Sequence, residues 1–253
     1  MPFFTTCQGL LFDFVPNLCF FGGMKNIVYR CKLSRMKQKL LLHAFNSGTS
    51  ARRAAREVAV NRSTAQLFYR KLRKAIFCSR VYKPKIRGTV EVDECYLSSG
   101  EGGRKVARQG RSLAGKIAII GAISRESRRV FLKRILSTQK STLTAFCCDN
   151  ISRKSTIHTD SLAAYSGLRG VGFKHLSVNH FLSVNHFLTY KNFKTGACTN
   201  LIESVWSVLR RHLANFCGGW RNNLELWLAE IELRVEARAD FGRQLKLALK
   251  HNI

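Results

Sequence analysis

Three acidic residues are candidates for binding a metal ion, because each lies in or beside an apolar or amphipathic segment. Asp93 lies inside an apolar segment, Asp160 ends a second one, and Glu203 lies on an amphipathic segment. Carboxylates that a fold brings together repel each other unless a cation lies between them. Such oxygen ligands suit Mg²⁺ or Mn²⁺, and two such ions can activate a water or hydroxyl that attacks a phosphodiester. Each acid alone is better explained as a surface or ion-paired carboxylate, but together they predict a metal site.

Two residues beside the strand acids are candidates for supporting roles. Side chains alternate along a strand, so Glu91 shares a face with Asp93, whereas Glu94 faces the other way. His158 precedes Asp160 by two residues and would face the same site. Glu91 is therefore a candidate supporting acid, and His158 a candidate neighbour of the site.

The segment that carries Glu203 adds further candidates. Arg210 follows Glu203 by seven residues, which is two helical turns, so it shares that face and could hold a phosphate. Asn200 lies one turn before Glu203 and is an alternative third site residue. Trp206 is interpreted as a core residue, with stacking on a DNA base as the alternative.

The elements that must position these residues are readable from periodicity. Alternating or continuous apolar segments predict strands at 89–97, 116–124, 128–136 and 155–160, the second and third forming a hairpin around 125–127. Helical spacing predicts helices at 141–151, from 161, at 199–216 and at 222–238. The pattern indicates a mixed α/β domain over residues 89–240.

A strongly basic region precedes this domain. The chain of 253 residues has a net charge of +28, and residues 25–87 hold 18 basic residues but one acid, Glu57. Helices are predicted at 36–45, 51–60 and 63–76, the last two capped by Ser50 and Ser63. Two short helices with a tight turn, the second of them basic, indicate a helix-turn-helix at 25–80; a generic basic helical hairpin is the alternative.

The predicted second helix of this pair offers two sets of DNA contacts. The candidates for reading bases lie at its start and are Asn61, Ser63, Thr64 and Gln66. Arg62, which lies among them, is a further candidate for contacting DNA. The basic residues of the helix are expected to point outward, with Leu67, Leu72 and Ile76 inward. These basic residues, Arg70, Lys71, Arg73 and Lys74, are predicted to contact phosphates, the alternative being a solvated helix face.

The composition excludes an intrinsically disordered chain. With 45% hydrophobic residues the chain can bury a core, so its charge indicates a folded protein that binds a polyanion. Nine cysteines without a CxxC pair argue against structural zinc and favour reduced thiols inside a cell.

Three segments lie outside the two predicted domains. Residues 1–24 form an apolar leader that is too short to span a membrane. Residues 81–88 are predicted as a linker and residues 241–253 as a C-terminal tail.

A tandem repeat interrupts the α/β region. The hexapeptide LSVNHF occurs at 176–181 and again at 182–187. A duplication by slippage or a sequence error is the favoured explanation. A functional pair formed by His180 and His186 is the alternative.

Several segments together resemble the transposase domain of ISXO-type insertion sequences and of their eukaryotic relatives, the Merlin elements. They are GTVEVDECYL, RSLAGKIAIIGAI, STIHTDSLAAYSGL, HLSVNHF and TGACTNLIESVWSVLRRHL. The resemblance implies a ribonuclease-H-like mixed sheet with flanking helices, preceded by a small all-α helix-turn-helix domain. It also implies a DDE site with Asp93 first, Asp160 second, and Asn200 or Glu203 third. Glu203 follows Asp160 by 43 residues, or 37 without the extra hexapeptide, which is close to the usual interval.

The resemblance further implies metal-dependent hydrolysis at transposon ends followed by strand transfer. The expected partners are the double-stranded terminal repeats and the target DNA. The protein is expected to form a homo-oligomer, and binding to a membrane or to zinc is not expected. The expected location is the nucleus in a eukaryote, or the cytoplasm and nucleoid in a bacterium. Two departures, the lack of a Cys-pair zinc ribbon and the hexapeptide insertion, favour the alternative of an inactive, transposase-derived DNA-binding protein.

Overall fold

The computed structural model describes residues 31–80, 83–99, 115–178, 196–216 and 219–251. It divides into two compact units, one formed by residues 1–81 with 240–253 and the other by residues 82–239. Within the described ranges no helix is long and apolar enough to cross a membrane.

The described residues of the first unit form four helices. They are α1 (Arg35–Asn46), α2 (Ala51–Glu57), α3 (Arg62–Ser79) and α7 (Phe241–His251). The first three were predicted as helices, and Ser50 caps α2 as expected by accepting the backbone N–H of Arg53. The cap of α3 was predicted wrongly. It is Asn61, whose Oδ1 accepts the backbone N–H of Ser63 at 2.9 Å, because the helix begins one residue earlier than predicted.

The inward face of α3 differs from the prediction at two positions. Leu72 and Ile76 are buried as expected, but Leu67 is 55% exposed. Arg73 does not point outward. It is buried, with its guanidinium carbon 5.4 Å and 5.9 Å from the ring centroids of Phe45 and Tyr69, an arrangement that offsets the cost of burying the charge.

The C-terminal segment was expected to be a tail, yet residues 241–251 form helix α7. Phe241, Leu245, Ala248 and Leu249 are buried at spacings of three and four residues, so one side of the helix packs in the core. Helix α7 packs against α3, and the ring of Phe241 lies 6.1 Å from that of Phe45.

The second unit is built on a five-stranded mixed sheet. Its strands are β1 (Thr89–Ser98), β2 (Lys116–Ser124), β3 (Val130–Ile135), β4 (Thr156–Asp160) and β5 (Lys174–Val178). The spatial order is β3-β2-β1-β4-β5, with β1 antiparallel to β2 and parallel to β4. This mixed α/β arrangement is consistent with a ribonuclease-H-like fold. Strand β5 was not predicted.

Helices cover both faces of the sheet. Helices α5 (Asn200–Ala214) and α6 (Leu224–Ala237) pack on one face, where Trp206, Leu228 and Ile231 join the core. Helix α4 (Lys140–Asn150) and a short 3₁₀ helix, Ala163–Gly167, lie on the other face. That 3₁₀ helix replaces the α-helix predicted from residue 161.

Two glutamates of α6, one buried and one half-buried, bind backbone N–H groups of the edge strand β3. Glu232 accepts the backbone N–H of Leu132 at 2.6 Å, and Glu236 accepts that of Val130 at 2.9 Å. The ammonium of Lys83 lies 3.5 Å and 2.9 Å from their carboxylates. Side chains thus satisfy backbone donors that would otherwise invite another strand.

Candidate active site

The register of two parallel strands brings Asp93 and Asp160 to the same level. Strand β1 pairs with β4 from Thr89 opposite Thr156 to Glu91 opposite His158. The same offset, continued by two residues, sets Asp93 level with Asp160 at the carboxyl end of β4. Two acids far apart in sequence are therefore carried by adjacent strands at one end of their pairing.

Asp93 is held by a helix that packs on the sheet. The indole N–H of Trp206 donates a hydrogen bond to Oδ2 of Asp93 at 2.9 Å. Trp206 is 1% exposed, so its ring belongs to the core, in agreement with the first interpretation of this residue. The hydrogen bond was not anticipated, although Trp206 follows Glu203 by three residues and thus shares its side of the helix.

The electrostatic environment of Asp93 reflects its acidic neighbours. Burial, with smaller contributions from the negative charges of Glu203 and Asp160, raises the pKa of Asp93 to about 6 against the lowering effect of the Trp206 bond. Asp93 therefore interacts with both of the other predicted acids. Their mutual repulsion is of the kind that a bound cation relieves.

Helix α5 presents both candidates for the third position. Asn200 is its exposed first residue, and Glu203 lies one turn later, half-buried. The charge of Glu203 acts on Asp93, whereas the described contacts include none of the Asn200 side chain. A neutral amide such as Asn200 has no charge that could act on Asp93, so both residues stay candidates for the third position.

A glycine on the neighbouring strand permits the close approach of α5. Gly121 on β2 lies opposite Asp93. A Cβ atom at Gly121 would lie 2.5 Å from the Trp206 ring and 3.0 Å from Ile202. The missing side chain leaves room for the indole that bonds to Asp93. A lone glycine in an apolar strand is the sequence signal for such close packing.

Glu91 anchors the start of the same helix. Its Oε2 accepts the backbone N–H groups of Leu201 and Ile202 at 2.7 Å and 3.0 Å, and its Oε1 lies 3.6 Å from Nε of Arg125. Burial raises the pKa of Glu91, and the two backbone donors oppose that shift. The carboxylate occupies the N-terminus of α5, where the helix leaves backbone donors without intrahelical partners.

His158 pairs with Glu91 in the register of β1 and β4 and contacts the segment before α5. It is buried, and its Nδ1 accepts the backbone N–H of Cys198 at 3.2 Å, which ties strand β4 to the residues before α5. Burial, followed by the positive charge of Arg125, lowers the pKa of His158, so the neutral ring is favoured.

Glu94 points to the opposite face of the sheet from Asp93. Its carboxylate accepts the hydroxyl of Tyr165, which is fully buried beside α4. Burial raises the pKa of Tyr165 well above its usual value, and the neighbouring Glu94 adds to the shift. Glu94 is therefore part of the other core and not a rival of Asp93.

Arg210 lies on the same side of the sheet as the acids. Burial raises the pKa of the Cys95 thiol to about 11, while the positive charge of Arg210 and its hydrogen bond to the sulfur oppose the shift. The negative charges of Asp93 and Glu203 also reach Cys95. An exposed cation, two helical turns after Glu203, thus acts on the same thiol as Asp93 and Glu203.

The donor set suits a divalent cation in its chemistry. Asp93, Asp160 and Glu203 supply carboxylate oxygens, the ligands that Mg²⁺ and Mn²⁺ prefer. In the described part of the chain, however, no three Asp, Glu, His or Cys side chains come close enough to hold a metal ion. Oδ1 of Asp160 instead accepts the backbone N–H of Leu162 at 3.0 Å.

The basic helix α3 presents only part of the predicted DNA-contact set. Its outer positions include Arg62, Ser63, Gln66 and Arg70, which are exposed. Thr64, Lys71 and Lys74 are half-buried, and the Asn61 side chain is engaged in the cap. Burial, followed by the charge of Arg70, lowers the pKa of Lys74. Arg73 is excluded from the outer face by its burial.

Some predictions fall outside the described residues. The leader at 1–24, the second copy of the hexapeptide at 182–187, and the pair His180 and His186 lie there. Six of the nine cysteines are described, and none of these six forms a disulfide.

Comparison with known proteins identifies the second unit. No curated protein matches the chain significantly. The model of the ISXO2-like transposase domain matches residues 85–236, which is more than half of the chain and includes every acid described above. DDE transposases generally use divalent metal ions. The match confirms the resemblance found in the sequence: the chain belongs to the ISXO2-like transposase family.

Proposed function

We propose that this chain is a DNA transposase whose site is formed by Asp93, Asp160 and Glu203. The observation that supports the proposal most is the register of β1 and β4, which sets Asp93 level with Asp160, while the charge of Glu203 on helix α5 also acts on Asp93. The substrate is double-stranded DNA at the ends of the element, and the products are cleaved ends joined to target DNA. The proposed assembly is a homo-oligomer, because two DNA ends must be brought together.

The chain's own residues would prepare this chemistry in three ways. The three acids would hold Mg²⁺ or Mn²⁺, which when bound activates the attacking hydroxyl and stabilises the leaving oxygen. Trp206 and Glu91 keep β1 and α5 in fixed positions, so that acids on different elements face each other. Arg210 would hold a phosphate of the DNA backbone beside them.

Nicking of DNA that carries the terminal repeats of the element tests the proposal. We expect cleavage with Mg²⁺ or Mn²⁺, none with EDTA, and a loss of at least about 1,000-fold in Asp93→Ala, since removing a metal ligand removes transition-state stabilisation. Asp149→Ala is a matched control, because Asp149 is an exposed acid of α4 on the other face of the sheet. Equal cleavage by Asp93→Ala and Asp149→Ala would refute the site.

The N-terminal unit is proposed to dock the DNA as a helix-turn-helix. Support comes from helices α2 and α3, joined by a short turn, and from the exposed Arg62, Gln66 and Arg70 along α3. Arg70→Gln with Lys71→Gln should reduce the salt dependence of DNA affinity. An unchanged salt dependence would contradict phosphate contacts by this helix.

A specific observation supports the alternative of an inactive DNA-binding protein. Among the described residues the acids do not converge into a three-ligand group. This alternative predicts tight, salt-sensitive DNA binding without cleavage under any metal condition. Strand-transfer activity would exclude it.

A further inference from the structure

A basic groove lies in the first unit, away from the residues that were expected to contact DNA. Helices α1 and α7 line it, and its volume is about 760 Å³. Its floor is apolar and includes Leu42, Leu245 and Leu249. Its rim is basic, and all five of its Lys and Arg residues are exposed: Arg35, Lys39, Arg243, Lys246 and Lys250.

The cations form one row on each side of the groove. Arg35 and Lys39 are four residues apart on α1, and Lys246 and Lys250 are four apart on α7, so each pair projects from one side of its helix. No residue that lines the groove is acidic. Arg243 makes an exposed ion pair with Asp240 at 3.8 Å, and exposed pairs of this kind stabilise little and are readily exchanged.

The groove is a built part of the unit and not a chance gap beside a tail. Helix α7 is anchored by buried apolar side chains and packs against α3. Gly242 lies so close to α1 that a Cβ atom there would be 3.2 Å from the Asn46 side chain. The groove and the exposed face of α3 therefore belong to one compact unit.

We infer that this groove binds the sugar-phosphate backbone of DNA, as a second contact surface beside α3. Two rows of cations match a line of phosphates, and the apolar floor suits the sugar edges between them. A second copy of this chain is a poor occupant of the groove because the basic rim calls for an anionic surface, and the chain has 15 acidic residues against 43 basic ones. The inference rests on the proposed function, since it takes DNA to be the partner.

The test measures DNA affinity of the full-length protein against salt. Fluorescence anisotropy with a labelled duplex of about 30 base pairs, roughly three helical turns, gives the dissociation constant between about 50 and 200 mM NaCl. The groove variant replaces three rim lysines with glutamine: Lys39→Gln, Lys246→Gln and Lys250→Gln. Because all three are exposed, thermal melting should be unchanged, and this is checked first.

A control variant removes the same amount of charge elsewhere. It carries Lys133→Gln, Arg134→Gln and Lys154→Gln, three exposed residues of the second unit. We expect the groove variant to bind about tenfold or more weakly than this control at the upper salt concentration. Its plot of log affinity against log salt should be shallower by about 2 to 3, since each lost phosphate contact removes about 0.9.

The outcomes separate this inference from the proposed function. If the wild-type protein shows no salt-dependent DNA binding, the proposed function fails. If the wild type binds and the groove variant equals the control, only the groove inference is overturned. A labelled amphipathic helical peptide rich in glutamate is tested in parallel. Binding of this peptide to the wild type but not to the groove variant, with DNA affinity unaffected, would overturn the inference in favour of a protein partner.

Discussion

Trp206 donates its indole N–H to Oδ2 of Asp93 at 2.9 Å, and this bond joins helix α5 to the central strand of the sheet. The pair is separated by 113 residues in the chain. Through it the helix that carries Glu203 is attached directly to the first acid of the proposed site. The bond also opposes the rise in the pKa of Asp93 that burial and the neighbouring acids cause.

Replacing Trp206 with phenylalanine should separate this bond from core packing. Trp206→Phe keeps a buried ring but leaves a carboxylate oxygen without its donor, so we expect a loss of about 1–3 kcal/mol in the free energy of unfolding. Urea denaturation near neutral pH in EDTA measures it. Trp220→Phe is the control, because Trp220 is also buried in this core but lies outside the site. An equal loss in both variants would show that the ring, not the bond, matters.

The raised pKa of Asp93 predicts a pH dependence of stability in the metal-free protein. The pKa lies at about 6 in the folded chain against 3.8 ordinarily, so the stability contributed by this group is full below about pH 4 and is lost as the pH rises through 6. The difference corresponds to at most about 3 kcal/mol. The Asp93→Asn side chain carries no ionisable carboxyl group, so it does not lose a proton in this pH range.

The stability of Asp93→Asn relative to the wild type should therefore increase between about pH 4 and pH 7. Denaturation curves in EDTA at several pH values measure the difference. A difference that is constant across this range would mean that Asp93 titrates normally.

Glu91 should be essential for the start of helix α5. Glu91→Ala leaves two backbone N–H groups of the helix without their acceptor, and we expect a loss of about 2–4 kcal/mol in the free energy of unfolding. Glu57→Ala is the control, since Glu57 makes only an exposed ion pair with Arg53. Hydrogen exchange of the amides of Leu201 and Ile202 should accelerate in Glu91→Ala. Unchanged exchange at these two amides would contradict the anchoring role.

Gly121 should tolerate no side chain. In Gly121→Ala the new methyl group would lie 2.5 Å from the Trp206 ring, so the helix must shift, at a cost of about 1–3 kcal/mol. Near-ultraviolet circular dichroism should report the changed environment of the indole. Gly170→Ala is the control, because its nearest atom would be at an ordinary 3.6 Å. Identical spectra and stabilities for the two variants would contradict this packing.

Much of the secondary structure was predictable from residue periodicity. Strand β2 was predicted with its observed bounds, and β1 ends one residue later than predicted, because apolar side chains repeat regularly along both. Strand β5 was missed, and its last three residues belong to the hexapeptide repeat, which was interpreted as a duplication and not as a strand. The orientation of Arg73 was wrong because its long apolar stem and planar head can be buried against aromatic rings, which a polarity pattern does not reveal.

The candidate site was predictable in its residue types but not in its connections. An acid inside an apolar strand is conspicuous in a chain with 43 basic and 15 acidic residues, so Asp93, Asp160 and Glu203 could be selected without coordinates. Glu91 was selected as a supporting acid, but its bonds to the start of α5 could not be predicted in this way, nor could the contacts of Trp206 and Gly121. Each of these contacts joins residues that are distant in the chain.

By itself, the sequence determined the family and the order of most elements and supplied the acids of the proposed site, because these follow from local periodicity and short motifs. Only the tertiary structure decided that Asp160 is level with Asp93, that Glu91 anchors α5, and that the C-terminal residues form a helix of the first unit. The physical reason is that strand register and helix docking are set by the combined packing of many distant side chains, which no single segment encodes.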